Sequence, residues 1–302
     1  MDLRLRDQLN FATTRFLDKR LTLIAKGRKA MSVAKEMLVY LIARYRRHSM
    51  MRSLDRVAVA FHKGHQNLSF NHRLNGERMV LRKLRNVGLS TIFDVGANEG
   101  DWAHGALAAF PAARIHCFEL AAAPFAKLAR RFHNKARVAT NLVALGDKVG
   151  TVKFLFADGH DAHSTLLEET FSDGEYSPAE AQMVTGDKYL EAHQISHIDY
   201  LKIDTVGSEN LVLAGFQAAL QNGKIKCIQF EYGAVNKISH FYLMDFYRLL
   251  EPLGYTIGKI FPHYVDFCPY HLDMDNFLGA NYLAVHKSQT EIIERLQGPS
   301  KA

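Results

Sequence analysis

A mostly parallel α/β sheet with helices on both faces is the fold this sequence predicts, from three observations. After residue 86, short apolar runs alternate with helical stretches; several of those runs end in a carboxylate; and the first leads straight into a glycine-rich turn. Alternation of this kind puts crossover helices between parallel strands. With 302 residues and 48% apolar content, the chain can bury one full core and carry an extension.

The extension comes first. Residues 1–86 hold 20 Lys and Arg against 6 Asp and Glu, a net of +14; the remaining 18 against 25 give −7, and the two make the +7 of the chain. Such a segment gains from contact with nucleic-acid phosphate, anionic lipid or an acidic partner. Within it, Ala34, Met37, Leu38, Leu41, Ile42 and Tyr45 recur at helical spacing ahead of Arg44, Arg46 and Arg47, which predicts a basic amphipathic helix over 31–47. Packing on the domain, a homo-oligomer contact, membrane-surface docking and nucleic-acid binding all suit it, nucleic acid least.

The start "MDLRLRDQLN" is charged where a secretory signal needs an apolar stretch, and "MLVYLIA" at 37–43 is too short to span a bilayer. Three scattered cysteines, Cys117, Cys227 and Cys268, suit a reducing compartment. The expectation is a cytoplasmic protein, peripheral at the membrane if the helix docks there.

Strands are expected near 90–95, 113–120, 136–145, 151–157, 198–204, 225–232, 255–260 and 281–287, with helices near 101–109, 122–133, 208–221 and 240–251. The organisation read from this is a basic helical extension over 1–86, a domain over 87–288 and a frayed tail over 289–302.

Open parallel sheets bind ligands beyond the carboxyl ends of their strands. The first strand ends at Asp94, followed by Gly96, Asn98 and Gly100, residues that tolerate left-handed backbone and close approach. The second ends at Glu119, where a carboxylate can accept both hydroxyls of a ribose. No phosphate loop G-x-x-x-x-G-K-[ST] is present, and "GANEG" falls short of G-x-G-x-x-G. Asp94 and Glu99 also place negative charge where a diphosphate would sit, so the loop suits a cation such as S-adenosylmethionine.

The stretches "FDVGANEGDWA", "IHCFEL", "VALGDKVGTVKFLF", "HSTL", "YLKIDTVGSENLVLAGF" and "IQFEYG" together resemble the FkbM family of S-adenosylmethionine-dependent methyltransferases over roughly residues 90–235. The resemblance implies an α/β class I (Rossmann-like) seven-stranded methyltransferase sheet with helices on both faces, here behind an N-terminal basic helical extension. It also implies O-methylation of a hydroxyl on a sugar, glycan intermediate or other small metabolite. Asp94, Gly96, Asn98 and Gly100 would line the methionine side of the cofactor, Glu119 would hold the ribose, and Ala144 with Leu145 would border the adenine. The sequence departs from the family at Val206, where many members carry a glutamate; a role of that glutamate in a metal site or substrate contact would be lost.

Asp204, at the end of the strand "YLKID", is the first candidate for the base that takes the acceptor proton, and its partial burial would strengthen it. His163 and His160, on the loop "ADGHDAHST", are alternative bases, with His160 also a candidate for substrate contact. Lys202 lies inside the same strand and needs a carboxylate such as Asp204, Asp94 or Glu231, or acts on substrate directly. Glu231 and Ser164 are candidate substrate contacts. A divalent metal stays open through Glu231 without a supporting pattern, and "HYVDFCPYHLDMDNF" at 263–277 reads better as a substrate lid through Tyr264, Phe267, Tyr270 and Phe277 than as a metal site. Two other readings remain: a nucleic-acid methyltransferase gripping phosphate with its basic arm, and a non-catalytic S-adenosylmethionine-binding module docking through its N-terminal helix.

Overall fold

The computed structural model describes residues 33–157, 164–166, 176–279 and 281–298. Lys63–Ala302 form one compact unit, and the chain before Lys63, described from residue 33, forms another. The second of these carries helical backbone α1 over 33–44 and helix α2 (Ser49–His65) up to its last turn, which falls at the start of the large unit; no residue of α2 is buried.

In the large unit the first helix is α3 (Glu77–Leu84). It enters the core through Met79, Val80, Leu81 and Leu84, so the expected boundary at 86 falls inside the compact unit. Strands β1 (Thr91–Val95), β2 (Arg114–Glu119) and β3 (Val138–Leu142) alternate with helices α4 (Asp101–Ala109) and α5 (Ala122–Phe132). Four short strands then build a second sheet: β4 (Ala144–Leu145), β5 (Gly150–Ala157), β6 (Ser164–Thr165) and β7 (Tyr176–Val184), in the order β4-β7-β5-β6.

Helix α6 (Gly186–Ala192) leads back to the main sheet through β8 (Ile198–Ile203), α7 (Glu209–Gly215), α8 (Gln217–Gln221) and β9 (Ile225–Glu231). Helices α9 (Asn236–Ser239) and α10 (Leu243–Leu250) precede β10 (Tyr255–Ile260), β11 (Val265–Phe267), β12 (Asn281–His286) and α11 (Thr290–Leu296).

The main sheet runs β3-β2-β1-β8-β9-β12-β10-β11. Neighbours from β3 to β9 are parallel, and β12 is antiparallel to both β9 and β10. This order matches the seven-stranded Rossmann-like sheet that the sequence predicts, with an eighth short strand, β11, paired antiparallel to β10. The chain leaves β1 toward β2 and β3, then returns to lay β8 on the other side, so the crevice for a ligand opens beside β1 and β8.

Strand alternation sends successive residues to opposite layers. Phe93, Leu201 and Ile228 meet α6, α7, α8 and α10 on one face. Ile92, Tyr200 and Cys227 meet α3, α4, α5 and α11 on the other. Within the segment 289–302, expected to fray, Thr290–Leu296 instead form α11 and bury Ile292 and Leu296, two apolar residues four apart on one helix face; 299–302 lie outside the described residues. The run 136–145 is divided, because Val143 N–H donates to Glu119 C=O and the chain after it pairs with β7.

Below the sheet, Asp199 joins its strands at the end away from the crevice. Its Oδ2 accepts hydrogen bonds from Ser90 N–H, Ser90 Oγ–H and Thr91 N–H at 2.6, 2.8 and 2.9 Å, and Lys226 Nζ lies 2.6 Å from Oδ1. Burial alone would raise its pKa, but Lys226 and the Ser90 and Thr91 donors outweigh that and hold it below the usual carboxylate range.

Candidate functional site

A cavity of about 720 Å³ opens at the carboxyl ends of β1, β2, β8 and β9. Its floor is the turn after β1. Gly96, Asn98 and Gly100 have φ of 78°, 47° and 83°, and Gly96 and Ala97 N–H both donate to Phe118 C=O. A side chain on Gly96 would place its Cβ 1.8 Å from Asp204 C=O, so only glycine lets the two strand ends come together. Gly100 packs against Leu128 and Phe132.

Glu119 forms one wall. Its Oε2 accepts from Asn98 N–H at 2.9 Å and its Oε1 from Ala121 N–H at 2.8 Å. Burial raises its pKa and these backbone donors resist the rise. The carboxylate is therefore clamped by the two turns it joins, and it keeps further lone pairs for a ligand. Phe118, Leu120, Val143, Ala144 and Leu145 add an apolar slot beside it.

The opposite wall is the β8–α7 loop. Glu209 Oε1 accepts from Thr205 N–H, Thr205 Oγ1–H and Gly207 N–H at 2.9, 3.1 and 3.3 Å, which winds the loop around one buried carboxyl group. Val206 sits at φ 50°, an outlier for a β-branched residue, and its C=O accepts from Thr165 Oγ1 at 2.9 Å, tying the loop to the second sheet.

Lys202 lies beneath this loop, with Nζ 2.9 Å from Asp204 Oδ2 and 3.6 Å from Asp94 Oδ1. It also stands over the Trp102 ring at 5.7 Å. Burial opposes its charge, but Asp204 and Asp94 outweigh that and raise it above the ordinary lysine range. Asp94 is fully buried, and desolvation pushes it up to about 6 against the pull of Lys202. Glu231 is hydrogen-bonded to Asp204; burial and the Asp204 charge raise its pKa well above the usual carboxylate range.

Of the residues singled out in the sequence, Gly96, Asn98, Glu119, Ala144, Leu145, Asp204 and Glu231 line this one cavity. Asp94 and Lys202 lie below it as a buried ion pair, and Gly100 shapes the turn from behind. Glu99 turns outward to Lys127 at 2.6 Å, so the negative charge expected of it at the ligand comes instead from the wall carboxylates. His160 and His163 lie outside the described residues; Ser164 opens β6, pairing with Phe156, and its side chain is likewise outside them.

No residue of 263–277 lines the cavity, so the aromatic lid expected there is absent from it. That segment is held by Asp275, which accepts hydrogen bonds from Tyr232 Oη, Tyr270 Oη and the Leu243 and Met244 N–H groups at the start of α10. Among the described residues no cluster of three or more His, Cys, Asp or Glu could hold a metal ion.

The sequence reading missed Glu77. It lines the cavity from the first turn of α3, and its Oε1 accepts from Asn75 and Asn281 Nδ2 at 2.7 and 3.1 Å, its Oε2 from Gln229 Nε2 at 2.8 Å. Gln229 stands in register with Lys202 and accepts from Tyr200 Oη at 2.7 Å. One signal was available: a glutamine inside the apolar run "IKCIQF" must find partners when buried.

The family model described as "Methyltransferase FkbM domain" matches residues 94–282, more than half of the chain. The chain belongs to this family. The FkbM match begins at Asp94, so α3 and Glu77 lie outside it. Among functionally curated proteins none matches the sequence.

Among solved structures, the chain is similar to methyltransferase FkbM from Methylobacillus flagellatus at 16% identity and a TM-score of 0.43, over 66% of this chain and 44% of that one. It thus spans less than half the length of that relative. It is also similar to precorrin-6y C5,15-methyltransferase from Geobacter metallireducens (12% identity, TM-score 0.38, 69% of this chain and 86% of that one). A third likeness is to an rRNA methylase from Streptococcus thermophilus (12% identity, TM-score 0.34, 69% of this chain and 94% of that one).

Proposed function

We propose that this FkbM domain transfers a methyl group from S-adenosylmethionine to a hydroxyl of a sugar, glycan intermediate or other small hydroxylated metabolite. The observation that carries the acceptor class is the convergence of Asp204, Glu231 and Glu77 on one cavity. Carboxyl groups held in place by Lys202, Asn75, Asn281 and Gln229 suit a ligand rich in hydroxyl donors. Carboxyl groups gathered in this way offer no cation to a phosphate-bearing acceptor, which argues against nucleic acid.

The site fits the cofactor. Gly96 leaves room where any Cβ would collide, Glu119 presents fixed oxygens, and Ala144 and Leu145 border an apolar slot. Gly96 and Asn98 would hold the methionine portion, Glu119 the ribose hydroxyls, and the slot the adenine. When bound, S-adenosylmethionine supplies a methyl group on a positively charged sulfur.

The protein's share is alignment and proton transfer. Asp204 accepts the proton of the acceptor hydroxyl on a carboxylate oxygen. Lys202, kept charged by Asp94 and Asp204, fixes the direction of Asp204. Glu231, hydrogen-bonded to Asp204 and lining the cavity, orients Asp204 and reaches acceptor hydroxyls. Val206 adds an apolar surface to the loop that keeps water from the reacting pair.

Removing the base by Asp204→Asn is expected to leave S-adenosylmethionine affinity nearly unchanged and to cut methyl transfer by about a hundredfold or more. Radiolabelled methyl uptake across hydroxylated glycans, metabolites and RNA reads both points. Near-normal turnover of the variant would remove Asp204 from the role, and uptake confined to RNA would overturn the acceptor class.

A further inference from the structure

We propose that α1 and α2 form a docking surface for an anionic lipid bilayer. On α2, Met50, Leu54 and Val57 recur at helical spacing, each more than half exposed. Arg52, Arg56 and Lys63 fall on the opposite side of the same helix by their spacing. On α1, Met37, Leu38, Val39 and Ile42 are exposed as well. Exposed apolar side chains recurring on one face of α2 mark a contact site.

Charge selects the occupant. Residues 33–65 carry seven Lys and Arg against two Asp and Glu, a net of +5, and no helix among the described residues is long and apolar enough to cross a membrane. The same segment of a second copy, face to face with this one, would bring another +5 against the first. Nucleic acid would pair with the arginines and leave Met50, Leu54 and Val57 in water. A bilayer containing anionic lipid meets both needs at once: an amphipathic helix lies in the interface with its apolar stripe among acyl chains and its basic side toward the headgroups.

Flotation of the full chain with vesicles tests the proposal. Binding to phosphatidylcholine–phosphatidylserine vesicles, lost at high salt and absent from phosphatidylcholine alone, is the expected result. Arg52→Gln with Arg56→Gln weakens binding roughly thirtyfold, taking about 1 kcal/mol for each surface arginine. Leu54→Glu with Val57→Glu abolishes it, while an unchanged thermal transition and S-adenosylmethionine affinity show that both double variants fold. No binding to the anionic vesicles, or wild-type binding by either double variant, overturns the proposal. So does a concentration-dependent dimer that Leu54→Glu with Val57→Glu dissociates in the absence of vesicle binding.

Discussion

Lys202 holds two carboxylates at different depths, Asp204 at the cavity and Asp94 wholly inside. Lys202→Met strands Asp94 as a buried unpaired charge and is expected to cost about 3–5 kcal/mol. The double variant Lys202→Met with Asp94→Asn regains most of that loss, read by denaturant unfolding; equal stability of the single and double variants would show no coupling. His116 makes a separate prediction. Burial and the nearby His193 and Arg114 charges push it down to about 4, and its Nδ1 lies 2.9 Å from Tyr189 Oη. The unfolded chain takes up this proton first, so its contribution is complete above pH 6.5 and is lost as pH falls toward 4. Asp94, raised to about 6, acts in the opposite direction over the same range. Comparing His116→Phe with wild type isolates the histidine, and the variant's melting temperature falls less between pH 6.5 and 4. Strand-end carboxylates were legible because the fold class alone assigns that position. Glu77 was not, since its partner Asn281 lies 204 residues away in the chain.

At the level of elements, the turn after β1 is the least replaceable part of the site. Gly96→Ala combines a φ of 78° with a Cβ driven into Asp204 C=O, so it must part β1 from β8. Its expected effect is loss of S-adenosylmethionine binding by calorimetry along with a lower melting temperature. Both glycines and Asn98 could be read from sequence because left-handed backbone selects few residue types. The tail could not, because seven residues carry too little periodicity to distinguish a packed helix from a frayed end. Leu296 is fully buried there, and Leu296→Ala should cost about 2–5 kcal/mol in unfolding experiments. Of the second sheet, β5 was read as a strand at 151–157, but β4 and β6 escaped for a related reason: they are two residues each and gain strand character only from the neighbours they pair with.

For the whole molecule, the order of strands and helices was readable because β1, β2, β8 and β9 of the main sheet are largely apolar, buried runs bounded by polar turns. The placement of α3 was obscured by charge: Arg78, Arg82 and Lys83 sit among the residues that enter the core, and net charge speaks to partners rather than fold. What the architecture leaves at the switch point is a glycine-floored crevice walled by Glu119 on one side and the Asp204 loop on the other. Isothermal titration of the full chain with S-adenosylmethionine and its demethylated product tests that reading most directly. Saturable binding of both, weakened at least tenfold by Glu119→Ala, is the predicted result. No heat from either ligand, with NAD or ATP binding in their place, would contradict it.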